Sequence, residues 1–436
     1  MKFLLSLVFA ILFATQTLTA APFAYVANLV DNTVSVIDIS TNLVVATVPV
    51  GNSPQAIAVT PNGQFAYVTN NGTNTVSVID ASTNMVVATI TVESSPTGIA
   101  ITPNGQFAYV ASFSLNRVSV IDISTNTVIG PPISVGGAPE GIAITPNGQF
   151  VYVTNSADNT VSVIDTSSNT VVDTIPVEAA PSSISITPNG LFAYVGNSGT
   201  TTVSVIDLNT NFVTTNIDVG GFPESGGNAV SPNGQYAYIA VFSSPSTQFI
   251  SVINTTSQTV TTTIPLPSIS DPEGIAITPD GKYAYVTYSD QNEVGIIDLS
   301  TNMVTGSPIT VGTVPFGIAI APPYSPPPPP PPPLFQPFSF SGKIVNRNGT
   351  FTLKAEWPAS PSSNIIAYEI FAFDQLIAIV PSGSPLVFER TLHPHNTHSH
   401  HWLEKYQNYL NTKYRVRAVN SNNSRSGFTN LNVQDF

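Results

Sequence analysis

The sequence predicts an all-β protein: a seven-bladed β-propeller closed by a C-terminal strand A, followed by a smaller β-sandwich domain. Three observations predict it. A unit marked by Tyr25, Tyr67, Tyr109, Tyr152, Tyr194, Tyr238 and Tyr285 recurs at spacings of 42, 42, 43, 42, 44 and 47 residues. Each unit holds four short runs rich in Val, Ile, Thr, Tyr and Phe, and a period of about 40 to 45 with four short strands is the mark of propeller blades. Eight consecutive prolines, Pro326 to Pro333, then separate this array from a non-repeating stretch of strand-like runs.

The elements follow in order. Lys2, the apolar run Phe3 to Phe13 and the small-residue site Thr19-Ala20-Ala21 have the layout of a secretory signal peptide over 1–20, so an exported, secreted, periplasmic or cell-surface location is expected. Beyond it, no stretch offers the ~18 apolar residues of a membrane span. Within the propeller, 21–323, one unit places strand A at Ala56 to Thr60, B at Phe65 to Thr69, C at Thr75 to Asp80 and D at Met85 to Ile90. Pro61-Asn62-Gly63 turns A into B, because Pro presets φ and Asn-Gly accepts positive φ. Strands apolar on both faces, such as Val76-Ser77-Val78-Ile79, suit blades packed between neighbours. The array begins with strand B at Phe23 to Ala27 and ends with strand A at Gly317 to Ala321, so the last strand is expected to complete the first blade and remove the free edges.

Tyr67-Val68-Thr69-Asn70 and Tyr152-Val153-Thr154-Asn155 each follow a Thr-Pro-Asn-Gly turn and precede Val-Ser-Val-Ile-Asp. This array resembles the YVTN β-propeller repeat of bacterial and archaeal surface-layer and exported proteins. The resemblance implies the fold over about 22–323 and says little of function. After the linker, 324–336, residues 337–436 contain Leu353-Lys354-Ala355-Glu356-Trp357, Ala367-Tyr368-Glu369-Ile370 and Tyr414 to Asn420, and resemble a fibronectin type III domain. The prolines themselves form stiff polyproline II, a spacer of roughly 25 Å at about 3.1 Å per residue.

Charge and residue usage narrow the function. Between Ala21 and Pro323 there are 19 acids against Arg117 and Lys282, and the whole chain carries −13. Phosphate binding needs clustered Lys or Arg, so nucleic acid is disfavoured as a partner. The propeller has no His or Cys, which removes Ser-His-Asp and Cys-His chemistry. Other propellers that the repeat resembles include lactonases and the heavy subunits of quinoprotein amine dehydrogenases, so a channel-sited hydrolase or oxidoreductase subunit is the alternative to a binding or adhesion module.

Comparing the repeats with one another locates the candidate site. The A-to-B and C-to-D turns hardly change, whereas the B-to-C and D-to-A connections change every time and fall on one face of the disc, where function gathers on a rigid frame. At the channel mouth, equivalent positions read Gln55, Thr97, Glu140, Ser182, Glu224, Glu273 and Phe316. Glu140, Glu224 and Glu273 are candidates to hold Ca²⁺ or an ammonium group. Phe222, Phe242, Phe249, Tyr288 and Phe316, with Phe113, are candidates for an exposed patch contacting an extracellular protein or glycan. The recurring Asp38, Asp80, Asp122, Asp165, Asp207 and Asp298, with Asn254 in the sixth slot, read instead as turn-capping groups. His393, His395, His398, His400 and His401 form a short His-rich tract able to bind Zn²⁺ weakly.

Overall fold

The computed structural model describes residues 22–244, 247–267 and 270–322 and, between 341 and 433, the backbone of the strands alone. The chain divides into two compact units, Met1–Ser325 and Pro326–Phe436. The expected signal peptide, the proline run, Trp357 and all five histidines lie outside the described residues.

In the first unit every repeat folds into an antiparallel four-stranded meander. The 54–91 sheet is typical: Pro54–Val59, Phe65–Asn70, Thr75–Asp80 and Met85–Thr91 pair in sequence order. The first of these strands starts earlier than its hydrophobic run and stops before Thr60. The Thr60 hydroxyl is committed to the turn, where it donates to Asn62 Oδ1 (2.7 Å) and accepts from the Phe65 amide (3.0 Å). Gly63 completes the turn at φ +70°, a conformation a side chain would strain. At the next turn Asp80 Oδ1 accepts from the Ser82 amide at 2.7 Å, and Asn254 does the same for Thr256 and Ser257 at 3.0 Å. The recurring Asp is therefore a turn cap.

The sheets close into a ring. Each innermost strand packs beside the next, from Pro54–Val59 through Pro96–Ile101, Pro139–Ile144, Pro181–Ile186, Phe222–Val230 and Pro272–Ile277 to Pro315–Ile320, which packs against Pro54–Val59 again. Pro315–Ile320 also pairs antiparallel with Phe23–Asn28, so the end of the array completes the sheet that begins it. Five sheets of the ring are four-stranded and separate. The 222–265 and 272–310 strands form one eight-stranded sheet, joined by a single parallel bridge between Gly226 and Gly274.

The letters of the repeat motif are explained by contacts between sheets. The seven marker tyrosines are buried, and the hydroxyls of four reach the left-handed Asn in the outer turn of the next sheet: Tyr67 to Asn126 (2.6 Å), Tyr109 to Asn169 (2.7 Å), Tyr152 to Asn211 (2.7 Å) and, across the closure, Tyr285 to Asn42 (2.6 Å); Tyr194 reaches the Thr255 carbonyl instead (3.5 Å). Valine fills the core between sheets. The threonine donates to the backbone of the neighbouring innermost strand, as in Thr69 to the Thr97 carbonyl (2.7 Å) and Thr154 to the Ser182 carbonyl (3.0 Å). Asn70 closes its own sheet by donating to Thr75 and Ser77 (3.0 Å each). The innermost strands run so close that a Cβ at Gly98 would collide with the Glu140 carbonyl oxygen, and one at Gly141 with that of Ser182. Outermost strands differ from the expectation of two apolar faces. Leu43, Val45, Met85 and Val87 alternate outward because no further strand covers them.

In the second unit the strands form two four-stranded sheets. One has the order Val387–Leu392, Thr350–Glu356, Ser341–Arg347, Asn432–Val433; the other has Gln375–Pro381, Ile365–Ala372, Tyr414–Asn420, Thr429–Asn430.

Candidate functional site at the variable face

The two sets of changeable connections are bonded to each other. The Asn71 amide donates to the Ser53 carbonyl, Phe113 to Ser95, Ser156 to Ala138 and Ser289 to Asp271, each at 3.0 Å. Left-handed Asn residues tie five of the B-to-C loops to the following connection, as when Asn74 Oδ1 accepts from the Ser95 amide (2.9 Å) and Asn159 from that of Ala180 (2.9 Å). The constant turns bond among themselves at the other ends of the strands, where the Ala81 amide meets the Gln64 carbonyl at 2.9 Å. A fixed frame thus presents varied side chains on one face.

A cavity of about 600 Å³ opens at the ring's centre. Ile57, Ile99, Ile142, Ile184, Ile275 and Ile318 contribute one tier of its wall, and Asn228 takes the seventh place in that tier. Its Oδ1 accepts from Ser185, and its Nδ2 donates to the Tyr194 carbonyl at 2.7 Å. The remaining lining includes Gln55, Thr97, Phe113, Glu140, Ser225 and Phe316, with no Lys, Arg or His.

The predicted carboxylates divide into two groups. Glu140 lines the cavity, where burial raises its pKa against an opposing hydrogen bond from Ser156. Glu224 and Glu273 lie together on adjoining sheets. Burial, then the nearby Asp271, pushes Glu224 up to about 7. Burial, then repulsion from Glu224, Asp271 and Asp290, pushes Glu273 up to about 8, with Ser225 donating to it. Among the described residues no three His, Asp or Glu side chains converge into a metal-holding group. The three-carboxylate Ca²⁺ arrangement is therefore not assembled, because Glu140 stands two sheets away from Glu224 around the ring.

The aromatic patch is also corrected. Tyr288 is fully buried, with its ring over Gly295, and belongs to the core between sheets. It occupies the position of Asn70, while Gly295 occupies that of Ser77, so a larger residue on one strand is matched by a smaller one opposite. Phe249 is half-buried against the Tyr194 and Val241 cluster. Phe222 remains 45% exposed opposite the half-buried Phe242 in the strand register, and Phe316 faces the cavity with Phe113.

One feature escaped the sequence reading. Six residues separate Pro139 from Thr145, but eight separate Pro223 from Ser231. The two extra residues bulge Glu224, Ser225, Gly226 and Gly227 out of the ladder, which resumes at Asn228 opposite Ile239. That lengthened spacing was the available signal.

Comparisons with known proteins agree on the architecture. A YNCE-like β-propeller model matches residues 9–105, a seven-bladed β-propeller lactonase model matches 134–216, and an LVIVD repeat model matches 99–129 and 274–313. The chain is a β-propeller protein. No curated protein matches it. Among solved structures, a functionally unknown protein from Desulfotomaculum acetoxidans is 21% identical, with 69% of this chain and 99% of that one covered and a TM-score of 0.59. Kuenenia stuttgartiensis hydrazine synthase is 24% identical over 61% of this chain and 89% of that one, with a TM-score of 0.55. The dihydro-heme d1 dehydrogenase NirN is 16% identical over 68% and 75%, with a TM-score of 0.51. At these identities the likeness concerns the propeller fold alone.

Proposed function

We propose that the chain is an exported binding or adhesion module: a seven-bladed propeller of the YVTN surface-layer kind whose variable face grips an extracellular protein or glycan. The eight-stranded sheet counts as two blades bridged by the Glu224–Gly227 bulge. The second unit is a fibronectin type III-like sandwich that spaces the propeller across the polyproline linker. It also carries the His tract that would take Zn²⁺.

The observation that carries the reading is that, among the described residues, the changeable loops belong to the face where the central cavity opens, while the opposite face repeats two turns with few changes. Rigid frames with varied loops are recognition surfaces. The cavity joins a tier of isoleucines and two phenylalanines to hydroxyl and amide groups and a single carboxyl, which suits a small ligand, and with no Lys, Arg or His in its lining it is poorly suited to phosphate chemistry. No helix among the described residues is long and apolar enough to cross a membrane. A lactonase-like hydrolase is the second reading, favoured by the match over 134–216.

The test is an array of extracellular glycans and envelope proteins probed with the full chain. Binding that is lost on Phe222→Ala but kept on Met85→Ala, on the outermost strand, is expected. Binding indifferent to variable-face changes would overturn the reading.

A further inference from the structure

We propose that the central cavity is a binding site for an organic ammonium group, with Glu140 as its counter-ion and Phe113 and Phe316 as its aromatic walls. This rests on the binding-module reading and names the ligand class that its cavity takes.

The volume of about 600 Å³ lies in the range of small-molecule sites. Glu140 is the one ionisable side chain in the lining, and it is held there without a cation. Among the described residues Arg117 pairs with Glu93 (3.6 Å) and Lys282 with Asp280 (3.3 Å). A partly buried carboxyl with no counter-ion is costly in its charged form, and an arriving cation relieves that cost. One carboxyl with a Ser156 hydrogen bond is too few oxygens for a hard metal ion, which takes six or so, but it matches a single ammonium head.

The second observation is independent of charge. Phe113 stands 40% exposed at the cavity, and its position is fixed rather than floppy. It opens a short 3-10 turn, Phe113–Leu115, whose first amide bonds Ser95 (3.0 Å), whose Ser114 hydroxyl bonds that of Ser95 (2.8 Å), and which ends on left-handed Asn116 at φ +55°. The corresponding loops elsewhere carry Asn71-Gly72-Thr73 or Ser156-Ala157-Asp158. An exposed aromatic side chain and a lone carboxyl in the lining of one cavity, with Phe316 as a second aromatic there, are the groups that attract an organic cation. The field of the acidic propeller draws cations and repels anions.

Calorimetric titration of the full chain with phenethylammonium chloride, its neutral counterpart 2-phenylethanol, and Nα-acetyl-lysine amide tests the assignment. The expected result is saturable binding of an ammonium compound, weakened at least tenfold by Glu140→Gln and several-fold by Phe113→Leu, with no saturation by 2-phenylethanol. Preference for phenethylammonium over the lysine derivative would assign a free amine, and the reverse a lysine side chain of a partner. Glu140→Gln preserves size, its folding is checked by melting, and Phe113→Leu lies in an exposed loop that the core does not need. Equal binding of 2-phenylethanol, or unchanged binding by both variants, overturns the proposal. A chain that grips glycans or envelope proteins on its variable face yet ignores ammonium compounds overturns this assignment alone and leaves the binding-module reading standing.

Discussion

The arc of the ring from Pro54 to Pro176 and the arc from Phe222 to Thr310 descend from one repeat, yet they solve the same packing problem differently. In the first, the two flanking sheets repeat the same polar contacts, with Asn70 and Asn155 closing their sheets and Thr69 and Thr154 latching onto the next strand, while the sheet between them carries Ala111 and Ser112 at those positions; Gly98 and Gly141 let backbones touch. In the second, the Asn position reads Val241 and Tyr288, the innermost strand bulges, and two half-buried carboxyls lie together at about 7 and 8. The difference teaches that the repeat specifies the frame through contacts between sheets. Where the repeat decays, compensation is local and pairwise, and titratable groups become tolerable.

The largest test breaks the ring where the two arcs meet. Deleting 315–322 removes the strand that pairs with Phe23–Asn28 and the carbonyl that Thr287 reaches at 2.8 Å, exposing two sheet edges at once. The propeller is expected to lose cooperative thermal unfolding altogether. A truncated chain that melts like the parent would show that closure is dispensable.

Next come two crowding substitutions, one in each arc. Gly295→Ser places an atom inside the Tyr288 ring and is expected to destabilise by about 3 kcal/mol. The double variant Gly295→Ser, Tyr288→Asn rebuilds the polar pair seen at Asn70 and Ser77 and should recover most of that loss. In the regular arc Gly98→Ala meets the Glu140 carbonyl oxygen, with no side chain able to yield, and should cost about 1–3 kcal/mol without any single-site rescue. Chemical denaturation of the four proteins checks both statements, and failure of the double variant to recover would remove the claim of pairwise compensation.

A smaller effect separates two tyrosines that the sequence makes equivalent. Tyr285 donates to Asn42, so Tyr285→Phe should cost about 1 kcal/mol. The Tyr25 hydroxyl is buried with no hydrogen-bond partner, and so is the Asn84 Oδ1 at the matching turn position. Tyr25→Phe should therefore be neutral or stabilising by denaturation, and a cost equal to that of Tyr285→Phe would mean the two latches are alike.

Most of the frame was legible because it is written seven times. The tyrosine period, the Pro-Asn-Gly turns and the capping Asp each correspond to a buried ring or a turn that recurs from sheet to sheet. Strand ends were less legible, because hydroxyls such as that of Thr60 choose the turn over the ladder. The site was legible only in part. Position along the repeat placed Glu140 and Phe316 at the cavity, but it also put Glu224 and Glu273 in one group with Glu140, whereas those two pair with each other and do not line the cavity. It could not tell that Tyr288 turns inward, since that depends on Gly295 on the opposing strand. A search for paired departures from the repeat, Tyr288 with Gly295 and Asn228 with Ser185, would have found both the buried ring and the polar notch.

The smallest expected effect is a dependence on pH centred on the irregular arc, to which Glu140 in the regular arc, also raised by burial, adds in the same sense. Glu273 binds its proton with a folded pKa of about 8 against an ordinary value of 4.5, and Glu224 with about 7. Between the ordinary and the raised values the native state holds more protons than the unfolded chain, so stability falls as pH rises. The contribution is fully present below about 4.5, declines through the raised values and is flat above about 8. Solvent reaching these half-buried groups tempers the effect to a few degrees of melting temperature. The exposed caps Asp38, Asp122, Asp165 and Asp298 are lowered by their serine hydrogen bonds and act oppositely, losing their contribution only as pH drops below the ordinary carboxylate range. Melting curves from pH 5 to 8.5 should therefore slope downward for the parent, less steeply in Glu273→Gln, where Glu224 still titrates, and least in the double variant Glu224→Gln, Glu273→Gln. A slope undiminished in the double variant would place the titrating groups outside the Glu224–Glu273 pair.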